Sequence, residues 1–108
     1  MESEIKNLYS TILERKISGE NRSYTNYLFA QGVNKILKKV GEECTEVIIS
    51  SKESNKEEQV NEICDLTYHI LVLMAELNIP LEDIKNELKK RGEKINNFKG
   101  ERKAIKEY

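Results

Sequence analysis

Val33-Asn34-Lys35-Ile36-Leu37-Lys38-Lys39-Val40-Gly41-Glu42-Glu43-Cys44-Thr45-Glu46-Val47-Ile48-Ile49-Ser50-Ser51 is the stretch on which the architecture turns. Val33, Ile36, Leu37, Val40, Cys44, Val47 and Ile48 recur at about 100° per residue, so they share one face of a helix over 33–51. Gly41 inside that helix costs up to about 1 kcal/mol relative to alanine, which is explained by close approach of a neighbouring backbone or ligand, or by simple tolerance.

The pattern stops at the polar segment Lys52 to Asn55, where Ser54 and Glu57 form an S-x-x-E capping box that opens a helix to about Leu77. Beyond Ile63 its apolar residues, among them Leu66, Ile70, Leu71, Val72, Leu73 and Met74, wrap nearly the whole circumference. A helix apolar all round must be buried on all sides. One short chain has few helices to surround it, so completion of the bundle by a homodimer is expected.

On the N-terminal side, Ile5, Leu8, Ile12 and Leu13 predict an amphipathic helix from Glu2 to about Lys16. Ser23 caps a short helix carrying Tyr24, Tyr27, Leu28 and Phe29, which should stop near Gly32. On the C-terminal side, Asn78 suits a left-handed position. Pro80 suits the first turn of a last helix through Leu81, Ile84 and Leu88 to about Arg91, ended by Gly92. Residues 93–108, mostly charged beyond Asn97, read as a loosely held tail. The fold class is all-α, an antiparallel bundle of about four to five helices in a single domain over 1–108.

The 108 residues hold 18 basic and 19 acidic side chains, a net charge of -1, which lacks the electrostatic footprint of a nucleic-acid binder. No apolar run approaches the roughly 18 to 20 residues of a membrane span, and the N-terminus is charged rather than apolar. A reduced cytoplasmic protein with no membrane partner is expected. Cys44 and Cys64, the only cysteines, read as small core residues, because helix axes about 8 to 10 Å apart seldom allow a disulfide.

Each of the two central helices carries acids at i and i+3: Glu43 with Glu46, and Glu62 with Asp65. A hairpin turning near Ser54 sets Glu46 opposite Glu62 and Glu43 opposite Asp65, one layer roughly 12 Å from the turn. Four carboxylates at a core boundary repel one another unless cations neutralise them. Asp65, a poor mid-helix residue between Ile63 and Leu66, is costly there without a partner. A solvated face pairing Glu42, Glu43 and Glu46 with Lys38 and Lys39 is the plain alternative, and the second acidic pair at matching height weighs against it. All-oxygen ligands favour Mg²⁺, with Mn²⁺ possible, and Mg²⁺ commonly completes its shell with substrate phosphates. Lys35, Lys38 and Lys39 supply local positive charge for such a ligand. His69, one turn from Asp65, either holds a phosphate and orients that acid or is a hydrogen-bonded histidine at the core edge.

Ser23-Tyr24-Thr25, the run Gly32 to Glu43 and Asp65-Leu66-Thr67-Tyr68-His69, with Ile79-Pro80-Leu81-Glu82-Asp83, together resemble the phosphoribosyl-ATP pyrophosphatase family over about Leu13 to Arg91. The E-E-x-x-E and E-x-x-D elements are shared with the wider MazG-type pyrophosphatases, whereas the K-I-x-x-K-x-G-E-E and D-L-x-Y-H runs are more specific. The resemblance implies Mg²⁺-dependent hydrolysis of phosphoribosyl-ATP to phosphoribosyl-AMP and pyrophosphate, the second step of histidine biosynthesis. It implies metal ligation by Glu43, Glu46, Glu62 and Asp65. Glu42, one turn from Glu46, suits the positioning of an attacking water, with Glu42 and Glu46 as the catalytic pair. Arg22 or Arg91 is assigned to the ribosyl phosphate. Some relatives carry the following cyclohydrolase on the same chain. These 108 residues leave no room for it, and a stand-alone enzyme is expected. The rival readings are a MazG-type enzyme acting on nucleoside triphosphates and a non-catalytic helical interaction module.

Overall fold

The computed structural model describes residues 2–19 and 22–95. They form five α-helices in the order α1 (Glu2–Ser18), α2 (Tyr24–Gln31), α3 (Val33–Ser51), α4 (Lys56–Glu76) and α5 (Leu81–Ile95). No strand occurs among the described residues, so the all-α class holds.

The α3–α4 hairpin is the centre of the molecule. Its turn, residues 52–55, is sealed by Gln59, whose side-chain amide donates to the carbonyls of Ser50 at 3.3 Å and Glu53 at 2.7 Å. Those bonds fix the register of the two helices. The helix start differs by one residue from the capping box: Asn55, not Ser54, is the N-cap, and its Oδ1 accepts from the Glu58 amide at 3.1 Å. Two adjacent residues are chemically able to cap. The extended backbone at Asn55, φ -132° and ψ 94°, gives the role to the second.

α2 is bounded by Ser23, whose hydroxyl accepts from the Asn26 amide at 3.2 Å, and by Gly32 at φ 93°. That left-handed turn, cheap only for glycine, lets α3 start immediately after α2 ends. Tyr9, Ile12, Leu28, Ile36, Leu71, Val72, Met74 and Ala75 form the core, so α1 and α2 cover one flank of the hairpin. Lys16 donates to the Ala75 carbonyl at 2.6 Å and to Asn78 Oδ1 at 3.0 Å, and Tyr9 donates to the Ile79 carbonyl at 2.6 Å. α1 thereby braces the last turn of α4 at Ala75 and the corner that follows it at Asn78 and Ile79. Asn78 takes the left-handed conformation, φ 59°, and turns the chain into α5.

α5 has no buried residue and meets the core only near its start, through Leu81 and the preceding Ile79. This projection accounts for a radius of gyration of 16.3 Å, against about 13 Å for a compact chain of this length. The helix continues through Gly92 to Ile95, contrary to the expected stop. An exposed glycine costs a helix only about 1 kcal/mol. The Arg91–Glu87 pair at 3.1 Å braces the turn before it. Residues 93–95 are therefore helix rather than tail; the rest of the expected tail lies outside the described residues.

One further expectation changes, and two are narrowed. Cys44 and Cys64 are exposed free thiols, not core residues, because they lie on hairpin faces that α1 and α2 leave uncovered. Helix α4 is not buried on all sides within one chain: Val60, Ile63, Ile70 and Leu77 are all 40% or more exposed. A Cβ at Gly41 would meet nothing within 4 Å, so no neighbouring backbone explains that glycine.

Replacing Lys16 with methionine keeps the aliphatic stem and removes both hydrogen bonds to the α4 terminus. It should lower the unfolding free energy by about 1–2 kcal/mol in urea denaturation, and an unchanged midpoint would contradict this role.

Candidate metal centre

The register of the hairpin brings Glu43 from α3 together with Glu62 and Asp65 from α4: each offers a carboxylate oxygen, and these oxygens lie within 4.8 Å of one another. Glu62 and Asp65 converge because i and i+3 share a helix face, and Glu43 meets them because the turn is short. Glu46 lies outside this tight set on a more exposed edge, yet close enough for its charge to act on Glu62.

Glu62 is the acid whose titration records the crowding. Its pKa is raised, first by the neighbouring Glu58 carboxyl, then by partial desolvation and by the charges of Glu58, Asp65 and Glu46. Glu58, one turn before Glu62, thus belongs to the same acidic edge, and only its i, i+4 spacing hints at this in the sequence.

Lys39 is the cation held closest to the cluster, with Nζ 3.7 Å from Glu43 Oε1 and 3.8 Å from Glu42 Oε1. Burial pulls its pKa down, and the charges of Tyr24, Glu42 and Glu43 outweigh that, leaving a net rise. Lys35 is half-buried and Lys38 exposed on the same helix. Arg22 is exposed in the α1–α2 connection, while Arg91 projects from α5, paired with Glu87.

His69 is buried, with both ring nitrogens engaged: Nδ1 is 2.7 Å from the Asp65 carbonyl and Nε2 is 3.0 Å from the Tyr24 hydroxyl. A carbonyl only accepts, so Nδ1 carries a proton, and in the neutral ring Nε2 accepts from the Tyr24 hydroxyl. The Tyr24 phenol is kept protonated, its pKa raised chiefly by desolvation. Tyr68 is fixed beside it by a hydrogen bond to Thr25 and stands edge-on to His69 at 4.9 Å. The Ser23-Tyr24-Thr25 run therefore fastens α2 to the segment of α4 that carries Asp65. That contact spans 45 residues between Tyr24 and His69, so no local spacing announces it.

Three clustered carboxylates, a fourth within electrostatic range and a fixed lysine form a hard-oxygen site suited to a divalent cation and a polyphosphate. A shallow depression lined by Asp83, Asn86, Glu87, Lys89, Lys90 and Glu93 runs along α5, and none of the α3 and α4 carboxylates lines it. No single helix among the described residues is long and apolar enough to cross a membrane.

Glu58→Gln should lower the Glu62 pKa toward the ordinary carboxylate range in a ¹³C NMR titration. Because the folded value lies above the unfolded one, the charged form costs stability at neutral pH, and that cost fades as pH falls through the folded value. The variant should therefore gain less from mild acidification than the parent. An unmoved Glu62 titration would refute the coupling.

Comparison with known proteins agrees with this chemistry. Residues 5–92 match the family model described as phosphoribosyl-ATP pyrophosphohydrolase. The chain is 59% identical to a phosphoribosyl-ATP pyrophosphatase of Clostridium acetobutylicum, over 94% of this chain and 92% of that protein. It is 56% identical to the protein so named from Clostridium novyi, with the same coverage, and 55% identical to that of Bacillus mycoides, over 97% of each chain. With 88 consecutive residues matched, including both acidic helices, the chain belongs to the phosphoribosyl-ATP pyrophosphohydrolase family.

Proposed function

We infer that this chain hydrolyses phosphoribosyl-ATP to phosphoribosyl-AMP and pyrophosphate, the second step of histidine biosynthesis, at the carboxylates of α3 and α4. What carries the reading is the convergence of Glu43, Glu62 and Asp65 in a member of the family named for that substrate. The donor set is all oxygen, which fits Mg²⁺, or Mn²⁺ in its place. Glu43, Glu46, Glu62 and Asp65 would hold the ion, which when bound supplies charge neutralisation and a water of lowered pKa.

The remaining work falls to the chain's own residues. Water adds to one phosphorus of the α–β anhydride, the P–O bond to the bridging oxygen breaks, and pyrophosphate departs. Glu42, exposed at the rim and one turn from Glu46, orients the water, and a carboxylate of this pair accepts its proton. Lys39 is already anchored on Glu43 and acts as a fixed counter-charge, while Lys35 and Lys38 meet the outer phosphates. Arg22 is the residue proposed for the ribosyl phosphate, and Arg91, paired with Glu87, would have to exchange that carboxylate for a phosphate to take the role. His69 serves the substrate side indirectly, holding Tyr24 beside Asp65.

A homodimer completes the bundle in this reading. Ile63, Ile70 and Leu77 recur every seven residues along α4 as one exposed stripe, the pattern of a helix that expects an apolar partner. Cytoplasmic location follows from the biosynthetic role.

Wild-type protein should release pyrophosphate from phosphoribosyl-ATP only with a divalent cation, and far faster than from deoxynucleoside triphosphates. Asp65→Ala or Glu46→Ala should lower turnover at least about 10²- to 10³-fold with the helical circular dichroism retained. Full activity in either variant would remove the site. Ile70→Lys should convert a dimer to a monomer in light scattering, and a wild-type monomer would end the dimer reading.

A further inference from the structure

The carboxylates and lysines account for the phosphates of the substrate and leave its purine without a seat. Beside them stand two tyrosines that the core does not use. Tyr24 and Tyr27, one helical turn apart on α2, are 46% and 45% exposed, and their rings stack with centroids 6.1 Å apart and planes 25° from parallel. Tyrosines this open contribute little to packing, since Leu28 alone of α2 is fully buried in the core.

Their position relative to the acids is fixed from the inner side. The Tyr24 ring meets the edge of His69 at 5.7 Å and Tyr68 at 6.2 Å, and its hydroxyl is bonded to His69. The charges of Lys39 and Glu43 both reach its phenol. Tyr24 is thus the ring next to the carboxylates, braced on three sides. Tyr27 is one ring farther out, and Tyr24 is its only aromatic neighbour among the described residues.

A nucleotide whose phosphates engage Lys39 and the acids needs a seat for its base, and the Tyr24–Tyr27 stack is exposed aromatic surface that adjoins that lysine. We propose that the open face of Tyr27 is the stacking platform for the purine of the substrate, and that Tyr24 is the positioning residue that holds the platform in register with the carboxylates. This rests on the placement of the phosphates at the α3–α4 acids. Stacking on a tyrosine suits a purine because both offer large π faces, and offset stacking tolerates the ribosyl substituent at the ring edge. A triphosphate lacking a base gains nothing from the platform.

Tyr27→Leu, which keeps apolar bulk and helix propensity, and Tyr27→Phe, which keeps the ring, separate stacking from packing. Tyr27→Leu should raise KM for phosphoribosyl-ATP roughly 5- to 150-fold with little change in kcat, whereas Tyr27→Phe should behave as wild type. Inhibition by inorganic tripolyphosphate, which has no base, should be the same in all three proteins. The chain has no tryptophan, so its fluorescence comes from tyrosine, and AMP should quench it in wild type and much less in Tyr27→Leu. An unchanged KM in Tyr27→Leu, an equal loss of tripolyphosphate inhibition, or a Tyr27→Phe variant as impaired as Tyr27→Leu would each overturn the platform. Inactive wild-type protein would instead overturn the assigned reaction, and the AMP quenching would still decide the platform.

Discussion

The packing of α3 against α4 is the constraint on which the rest depends, because it forces like charges together at the rim of an apolar seam. Ile36 and Val72 are fully buried, and their burial holds the two helices at contact distance. The short turn, closed by Gln59, then sets Glu43 beside Glu62 and Asp65. Charge repulsion among these groups opposes the packing and is offset by it. On the proposed function, a cation bound at these acids would turn this opposition into attraction.

Around that seam the other helices act as supports. α1 reaches across to the end of α4 with Lys16 and Tyr9, fixing where α4 stops and α5 departs. α2 reaches across with Tyr24 and Thr25 to the middle of α4, fixing the level of Asp65 and His69. These are long-range polar bonds made to a hairpin whose apolar contacts alone would permit some sliding. The acidic edge and the α4–α5 corner are accordingly two places where the chain is specified by hydrogen bonds as well as by burial.

The bounds of α3, the caps at Ser23 and Gly32, the left-handed Asn78 and the meeting of Glu43 with Glu62 and Asp65 were legible, because each depends on local spacing, on the hairpin turn or on one residue's backbone preference. What escaped depends on more than one segment. Ser54 and Asn55 are both competent caps, and only the turn geometry chooses between them. Gly92 resembles a helix end, but its cost is small enough for α5 to pass through it. Cys44 and Cys64 lie on the apolar side of a helical wheel that assumes complete covering, which one chain does not supply. Glu46 has the same i, i+3 relation to Glu43 that joins Glu62 to Asp65, yet it is more exposed than Glu43 and the tight oxygen cluster forms without it, a difference that spacing along one helix does not announce. Residue chemistry reached a phosphate-handling metal site; phosphoribosyl-ATP itself came from the family resemblance, with which the family model and the relatives agree.

The central claim is that one cation site spans α3 and α4 at these acids. It is tested most directly by titrating Mn²⁺ into the ¹⁵N-labelled protein and following which backbone amide signals broaden first. The account predicts early paramagnetic broadening around Glu43, Glu46, Glu62 and Asp65, reversed by excess Mg²⁺ and absent in Asp65→Asn. Broadening that begins instead at Glu82 and Asp83 in the first turn of α5, or that Asp65→Asn leaves unchanged, would contradict it.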